Sequence, residues 1–261
     1  MNSIQQFVFG YGSLICPHSR AITAPTLAER TVTPVLVRHV ERTWAKAVPS
    51  VGFTAMGVRF ADDAECVGVL VPVNDRELSQ FDARERGYNR VPLYINDVEP
   101  VPFLDSNKYE KDPFWQAKAM TQDQSSIRIW MYMQQNLAPP SEDTPIVQSY
   151  VDTILRGCLT ISEDFAEQFI ANTKGWHPNE ISDDEEDDEE EDMDIGSDEE
   201  QSTENDNSSL SDEDVFWVDD RHDPIYPRGD QKFMLKNKKK LDSLLKRHRE
   251  EFQFRTTLSQ Q

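Results

Sequence analysis

The N-terminal part of the chain contains the segment Phe7-Val8-Phe9-Gly10-Tyr11-Gly12-Ser13-Leu14. A short apolar run that ends in closely spaced glycines is typical of a buried strand that opens into a loop. Gly10 and Gly12 flank Tyr11, so the backbone there can adopt conformations closed to other residues and can let a ligand approach its amides. Taken alone, the same pattern is equally typical of a tight turn that ends a strand.

Hydrophobic patterns predict further strands and helices along the chain. Strands are predicted at 33–40, 53–60, 66–73, 88–98 and 127–133, and helices at 74–82, 146–159 and 165–173. The arms 53–60 and 66–73 are predicted to pair as a hairpin around residues 61–64. Asn74 or Asp75 is the expected N-cap of the first helix.

One segment carries nearly all of the excess negative charge. The 261 residues include 27 basic and 48 acidic side chains, a net charge of −21, and residues 182–214 hold 19 of the acids with no Lys or Arg. Without this segment, 29 acids face 27 bases. A segment so poor in apolar residues cannot bury enough surface to fold, so we expect it to be disordered. The chain is therefore a nearly neutral globule interrupted by a polyanion.

Several classes of protein are excluded by the sequence. No apolar run is long enough for a transmembrane helix, and the first residues do not resemble a signal peptide. The three cysteines, Cys16, Cys66 and Cys158, are far apart and odd in number, which indicates reduced thiols in a cytoplasmic protein. The five histidines have no ligand spacing, and no nucleotide-binding loop is present. We therefore expect neither a metal nor a cofactor.

Glu85 is the carboxylate with the most unusual surroundings. It follows the predicted helix at 74–82, where the helix dipole disfavours an anion, and it is flanked by Arg84 and Arg86. An isolated glutamate of this kind is most often a solvated residue paired with a neighbouring arginine. The sequence around Glu85 alone leaves that interpretation open.

The two segments together resemble a known family. The residues FGYGSL at 9–14, followed about 70 residues later by FDARERGY at 81–88, resemble the γ-glutamylcyclotransferase superfamily. The form FGYGSLI resembles its glutathione-specific ChaC group in particular, although Cys16 stands where that group usually has tryptophan. The resemblance spans residues 7–172 and implies an α+β fold, a mixed, partly closed β-barrel flanked by helices.

The resemblance also implies a set of site residues. Glu85 would be the general base, and Tyr150 would contact the γ-glutamyl group of the substrate. The loop would hold that group through its main-chain amides, which belong to Phe9, Gly10, Tyr11, Gly12, Ser13 and Leu14. The implied reaction releases 5-oxoproline from a γ-glutamyl peptide or amine, with glutathione favoured. A catalytically silent scaffold that binds γ-glutamyl ligands and uses the acidic tract for partner interactions is the alternative.

The organisation that follows has three parts. Residues 1–178 are predicted to form the γ-glutamylcyclotransferase-like domain, 179–214 a disordered acidic linker, and 215–261 a C-terminal extension with a docking segment and a basic helix. The acidic tract is a spacer, a docking tract for a basic protein partner, or a partner of the basic tail in cis. We do not expect nucleic-acid binding by the tail, because the nearby anions would compete.

Overall fold

The computed structural model describes residues 4–120, 126–177, 180 and 215–258. The strands are β1 (Gln5–Gly10), β2 (Thr33–Val48), β3 (Phe53–Val73), β4 (Tyr88–Leu93), β5 (Val98–Glu99), β6 (Ile127–Gln134), β7 (Ile146–Val147), β8 (Thr173–Lys174), β9 (Trp217–Asp219) and β10 (Thr256–Thr257). The helices are α1 (Pro17–Thr23), α2 (Asp75–Arg84), α3 (Asn107–Glu110), α4 (Pro113–Met120), α5 (Gln148–Leu159), α6 (Glu163–Ala171) and α7 (Gln231–His248). The predicted acidic linker lies almost entirely outside the described residues.

The main sheet is mixed and strongly curled. Its strands follow the order β4-β6-β1-β3-β2-β5, with β8 alongside β2. β1 runs antiparallel to β3 and parallel to β6, so the predicted N-terminal strand lies in the middle of the sheet. Phe9 on this strand is fully buried. The glycine loop at residues 10–14 therefore follows a strand in the centre of the sheet.

The sheet closes part of the way into a barrel. The far end of β3 curls over until the Val58 N–H donates to the side-chain oxygen of Gln134 on β6 at 3.0 Å. The Tyr88 hydroxyl on β4 donates to the Met56 carbonyl at 2.9 Å. Side chains, rather than a strand ladder, thus bridge the opening. The predicted α+β fold with a partly closed barrel flanked by helices is confirmed.

The predicted hairpin around residues 61–64 is wrong. Both predicted arms belong to the single strand β3, and both pair with β2, whose turn is at Gly52 with φ of 84°. Residues 61–64 form an enlarged bulge opposite His39, where the backbone of both His39 and Asp63 takes a positive φ. A bulge bends a strand and increases its twist. Turn-like residues in the middle of β3 therefore mark the bend that curls the sheet.

The other predicted element boundaries agree with the structure in part, and local contacts explain the outcome. Asn74 is the N-cap of α2, because its side chain accepts from the Glu77 N–H while the Glu77 carboxylate accepts from the Asn74 N–H. The predicted strand at 88–98 ends at Leu93. The predicted helix at 146–159 begins two residues late, because Ile146–Val147 forms β7. Helices α1, α3 and α4 were not predicted, since they are short and carry no regular apolar face.

The C-terminal extension packs on the barrel domain. β9 pairs with β7 and β10 to form a small parallel sheet. The Arg221 guanidinium is fully buried and contacts the carboxylates of Asp152 on α5 at 2.6 Å and Asp242 on α7 at 2.8 Å. The leucines on the inner face of α7 are also buried. No helix in the described part of the chain is long and apolar enough to cross a membrane.

Helix α5 packs directly against the backbone that follows the glycine loop. A Cβ atom added to Gly157 would lie 2.5 Å from the Cys16 nitrogen and 2.6 Å from the Cys16 Cα. Such contacts with backbone atoms cannot be relieved by a change of rotamer. The absent side chain at Gly157 therefore sets how closely α5 approaches the loop.

We expect Gly157→Ala to lower the melting temperature. In an unconstrained helix, this change stabilises by about 1 kcal/mol. Here overpacking against Cys16 should cost about 1–3 kcal/mol, so the sign of the effect should reverse. Thermal unfolding measures it, and Ser79→Ala on the exposed face of α2 is the control. A variant as stable as the wild type would show that the backbone at Cys16 moves to accommodate the added methyl group.

Candidate active site

A pocket of about 320 Å³, including its mouth, opens where the end of β1, the exit of α2 and the start of α5 meet. Its lining residues are Phe9, Tyr11, Gly12, Ser13, Leu14, Met56, Glu85, Tyr88, Tyr132 and Tyr150. Except for Gly10, every residue that the sequence predicted for the site is in this set. Gly10 instead packs against Leu14, since a Cβ at Gly10 would lie 2.8 Å from the Leu14 Cβ.

The glycine loop ends in a tight helical turn. Residues Ser13–Ile15 form a 3₁₀ turn in which the Ile15 N–H donates to the Gly12 carbonyl at 2.9 Å. The buried guanidinium of Arg20 on α1 donates to the carbonyls of Leu14 and Ile15 at 2.7 and 2.8 Å. The first N–H groups of such a turn have no acceptor within it. The loop therefore has its carbonyls bound and its leading N–H groups available to a ligand.

Gly12 leaves the space that a ligand would need. A Cβ at this position would lie 3.2 Å from both the Met56 Cβ and the Tyr150 hydroxyl. These two atoms lie on opposite elements, β3 and α5. A side chain at Gly12 would therefore fill the pocket between them.

Glu85 reaches the pocket because α2 ends there. Its N–H donates to the Phe81 carbonyl at 2.8 Å as the last bond of the helix, and the chain then reverses at Gly87, where φ is 87°. Only glycine adopts this backbone conformation easily. The Glu85 side chain is 17% exposed and forms an ion pair with the Arg84 Nε at 2.8 Å. The carboxylate is thus paired with an arginine but is not the solvated residue of the alternative interpretation.

The surroundings of Glu85 favour proton transfer. Burial raises the pKa of the Glu85 carboxyl, while the positive charges of Arg84 and Arg228 oppose this increase. A carboxylate with a raised pKa accepts protons more readily than an exposed one. The structure therefore provides a base at the wall of the pocket.

Arg84 connects Glu85 with the glycine loop. While its Nε contacts Glu85, one terminal nitrogen donates to the Ser13 hydroxyl at 2.9 Å and the other to the Thr23 hydroxyl at 2.8 Å. The side chain of Arg84 is only 6% exposed. The Arg84 guanidinium therefore fixes the positions of Glu85, the glycine loop and α1 relative to one another.

Tyr150 projects from the first turn of α5 into an aromatic cluster. Its ring lies 5.7 Å from Trp44, 5.5 Å from Phe53 and 4.6 Å from Tyr226, measured between ring centroids. Burial raises the pKa of the Tyr150 hydroxyl, and the Ser13 side chain and the Met56 backbone oppose this increase only in part. The hydroxyl therefore stays protonated next to Gly12.

Three lining residues were not predicted from the sequence. Tyr88 belongs to the FDARERGY segment, so its place beside Glu85 could have been expected from that motif. Tyr132 lies on β6, and its carbonyl accepts from the Tyr11 hydroxyl at 2.5 Å. Met56 comes from the curled end of β3, and nothing in its local sequence indicates a site. The sequence predicts Arg84 only as a partner of Glu85 and does not indicate its contacts with Ser13 and Thr23.

The pocket shows no evident set of ligands for a metal ion. Within the described ranges, no group of His, Cys, Asp and Glu side chains could hold a metal ion. The three cysteines are free and buried. What the pocket offers is a base, N–H donors and tyrosine hydroxyls, a set suited to acid–base and acyl-transfer chemistry.

Comparisons with known proteins were made for both sequence and structure. No protein-family model matches the sequence. No curated protein is significantly similar to it.

Solved structures show a similar arrangement at low sequence identity. An uncharacterized human protein is 14% identical, with a TM-score of 0.45, over 64% of this chain and 88% of its own. A γ-glutamyl cyclotransferase is 14% identical, with a TM-score of 0.46 and the same coverage. A yeast γ-glutamyl cyclotransferase specific to glutathione is 13% identical, with a TM-score of 0.38, over 65% of this chain and 88% of its own. The solved structures to which this chain is similar thus include γ-glutamyl cyclotransferases.

Proposed function

We propose that this protein is a γ-glutamylcyclotransferase-like enzyme that releases 5-oxoproline from a γ-glutamyl peptide or amine. One observation carries the proposal: Glu85 and the loop at Gly12 line the same pocket, although they are about 70 residues apart in sequence. The FGYGSLI form of the loop supports glutathione as the first substrate to test. No cofactor is required by the reaction.

The reaction is an intramolecular acyl transfer. The α-amine nitrogen of the substrate attacks its own γ-carbonyl carbon, which forms the five-membered ring, and the bond from that carbon to the leaving nitrogen breaks. Well-oriented attack of this kind has an effective molarity of about 10⁵–10⁸ M, equivalent to roughly 7–11 kcal/mol of the barrier. Holding the substrate in a folded conformation is therefore the main task of the pocket.

Glu85 moves the proton in this scheme. The α-amine must lose a proton to attack, and the leaving nitrogen must gain one to depart. A carboxylate with a raised pKa accepts the first proton and can return it to the leaving group, so it ends the cycle unchanged. Contact with the Arg84 guanidinium holds the Glu85 side chain in place during both transfers.

The loop stabilises the charge that develops. As the amine attacks, negative charge accumulates on the γ-carbonyl oxygen. N–H groups at the start of the 3₁₀ turn are the donors we assign to this oxygen, each worth about 3–4 kcal/mol by analogy with other oxyanion holes. The protonated Tyr150 hydroxyl, next to Gly12, is placed to contact the same γ-glutamyl group. These donors need no rearrangement because Arg84 and Arg20 already hold the loop.

We expect Glu85→Gln to remove most of the activity and to leave the fold intact. The amide is nearly isosteric but cannot accept the proton, so the rate should fall by about 10²–10⁴-fold. Release of 5-oxoproline from a panel of γ-glutamyl peptides and amines measures this. Glu110→Gln, at an exposed position outside the pocket lining, is the control.

Two outcomes would contradict the assignment. Activity of Glu85→Gln within tenfold of the wild type would remove Glu85 from the mechanism. Binding of γ-glutamyl ligands by the wild type without any product release would favour the ligand-binding scaffold instead.

We expect Gly12 substitutions to impair ligand binding in proportion to their size. Gly12→Ala places one methyl group 3.2 Å from the Tyr150 hydroxyl, and Gly12→Val adds two further carbons to the same space. Binding of a γ-glutamyl ligand, measured by calorimetry, should weaken in the first variant and disappear in the second. Unchanged binding by both variants would show that the loop is only a turn.

We expect the pH profile of kcat/KM to reflect the burial of Glu85. The base works only when it is ionised, so activity should fall as the pH decreases through the pKa of its carboxyl. Because burial raises that pKa, the midpoint of this acid limb should lie above the ordinary glutamate value of 4.5. A midpoint at or below 4.5 in a steady-state profile would contradict the assigned base.

A further inference from the structure

The exposed side of α7 is strongly basic. This helix of 18 residues carries seven Lys or Arg side chains and one acid. Its exposed bases are Lys232, Lys236, Lys239, Lys240, Lys246 and Arg247. Neighbouring members of this set are three, four or seven residues apart, spacings that place side chains on one side of a helix. The opposite side is buried against the domain through Leu241, Leu244 and Leu245. We call the exposed set the basic face.

Half of the basic face has no acidic partner within the described part of the chain. Arg247 and Lys240 contact the Glu163 carboxylate on α6 at 3.0 and 3.4 Å. Three exposed lysines nearer the start of the helix contact no acid that the structure describes: Lys232, Lys236 and Lys239. Like charges three or four residues apart on a helix repel one another. An anion on this face would therefore stabilise the helix.

The chain on either side of the acidic tract, residues 182–214, is held beside α7. Before the tract, the Glu180 carboxylate lies 3.4 Å from the guanidinium of Arg249, the residue that ends α7. After the tract, the Asp219 carboxylate on β9 lies 3.4 Å from the Lys238 amine in the middle of α7. The tract therefore leaves and rejoins the described structure next to the same helix.

The tract is long enough to reach every base of this face. Its 33 residues can extend to roughly 110 Å, whereas the 18 residues of α7 span about 27 Å. A segment tethered close to its binding surface meets it at an effective concentration of up to about millimolar. Weak contacts between single side chains are therefore sufficient for binding within one chain.

Charge distinguishes α7 from the rest of the protein. The tract holds 19 acids and no Lys or Arg, so it is attracted to positive surfaces. Outside both α7 and the tract, the chain has 28 acids and 20 bases, a balance that repels a polyanion. The basic face therefore combines the complementary charge with the shortest tether.

We propose that the acidic tract binds the basic face of α7 in the same chain. The carboxylates of the tract pair with the exposed lysines and offset their mutual repulsion. Because acids outnumber the bases of the face, the pairing can shift along the tract without loss of charge neutralisation. The tract then acts as an intramolecular competitor, and any other polyanion must displace it to reach α7.

Carbodiimide crosslinking tests the proposal on the full-length protein. The reagent condenses a carboxylate with an amine that is in direct contact with it, and mass spectrometry then identifies the joined residues. We expect the tract to link to Lys232, Lys236 and Lys239 at least about tenfold more often than to Lys111, which is exposed at the end of α3. These links should disappear in 0.5 M salt, where charges are screened beyond about 4 Å.

Small-angle scattering gives a second readout with an opposite sign for the alternative. Salt releases a tract that is bound to α7, so the radius of gyration of the wild type should increase. A tract that is not bound is extended by self-repulsion, so salt should make it more compact. The triple variant Lys232→Gln, Lys236→Gln and Lys239→Gln should start at a larger radius than the wild type and decrease with salt.

A matched variant controls for the change in net charge. Arg76→Gln, Lys111→Gln and Arg128→Gln together remove three exposed bases outside α7. This variant has the same net charge as the α7 variant, and it should keep the salt response of the wild type. Melting temperatures confirm that both variants are folded.

Three results would overturn the proposal. The first is an equal yield of crosslinks at Lys111 and at the basic face. The second is a wild type whose radius of gyration decreases with salt. The third is a set of crosslinks that join isotopically labelled to unlabelled copies, which would assign the tract to a second chain. These measurements do not involve the pocket, so their outcome is independent of the proposed function.

Discussion

The guanidinium of Arg84 joins parts of the chain that would otherwise be independent. Its nitrogens contact the Glu85 carboxylate, the Ser13 hydroxyl and the Thr23 hydroxyl, which belong to the exit of α2, the glycine loop and α1. Hydrogen bonds to a charged group are about twice as strong as those between neutral groups. Because this side chain is almost completely buried, the three elements hold one relative position. The pocket between them is therefore preformed.

The C-terminal extension is fastened to the barrel by buried charges. Arg221 bridges α5 and α7 through Asp152 and Asp242, while Asp220 caps the first turn of α5. Removing one member of a buried ion pair typically costs about 3–5 kcal/mol, because the other charge is left without a partner. The turn of α5 fixed in this way carries Tyr150. The extension thus packs against the helix turn that carries Tyr150.

Local patterns predicted the elements of the sheet better than their pairing. The hydrophobic patterns of residues 53–60 and 66–73 correctly predict extended backbone, but residues 61–64 are not the hairpin turn that their composition predicts. Positive φ at Asp63 serves a bulge instead, because the partner of both segments is the long strand β2. A bulge and a turn use the same residue types. Only the position of the partner strand distinguishes them.

The sequence by itself determined the glycine loop and the carboxylate at the end of α2, because each depends on residues that are adjacent in the chain. The two segments taken together indicated the fold class. The sequence also limited the candidate chemistry, since it contains no metal-ligand spacing. Tertiary structure alone decided which side chains meet. Met56 and Tyr132 reach the pocket only because the barrel curls, and Tyr226 packs against Tyr150 only because Asp220 fixes the extension on α5. Contacts of this kind depend on the packing of distant segments, which local sequence patterns do not encode.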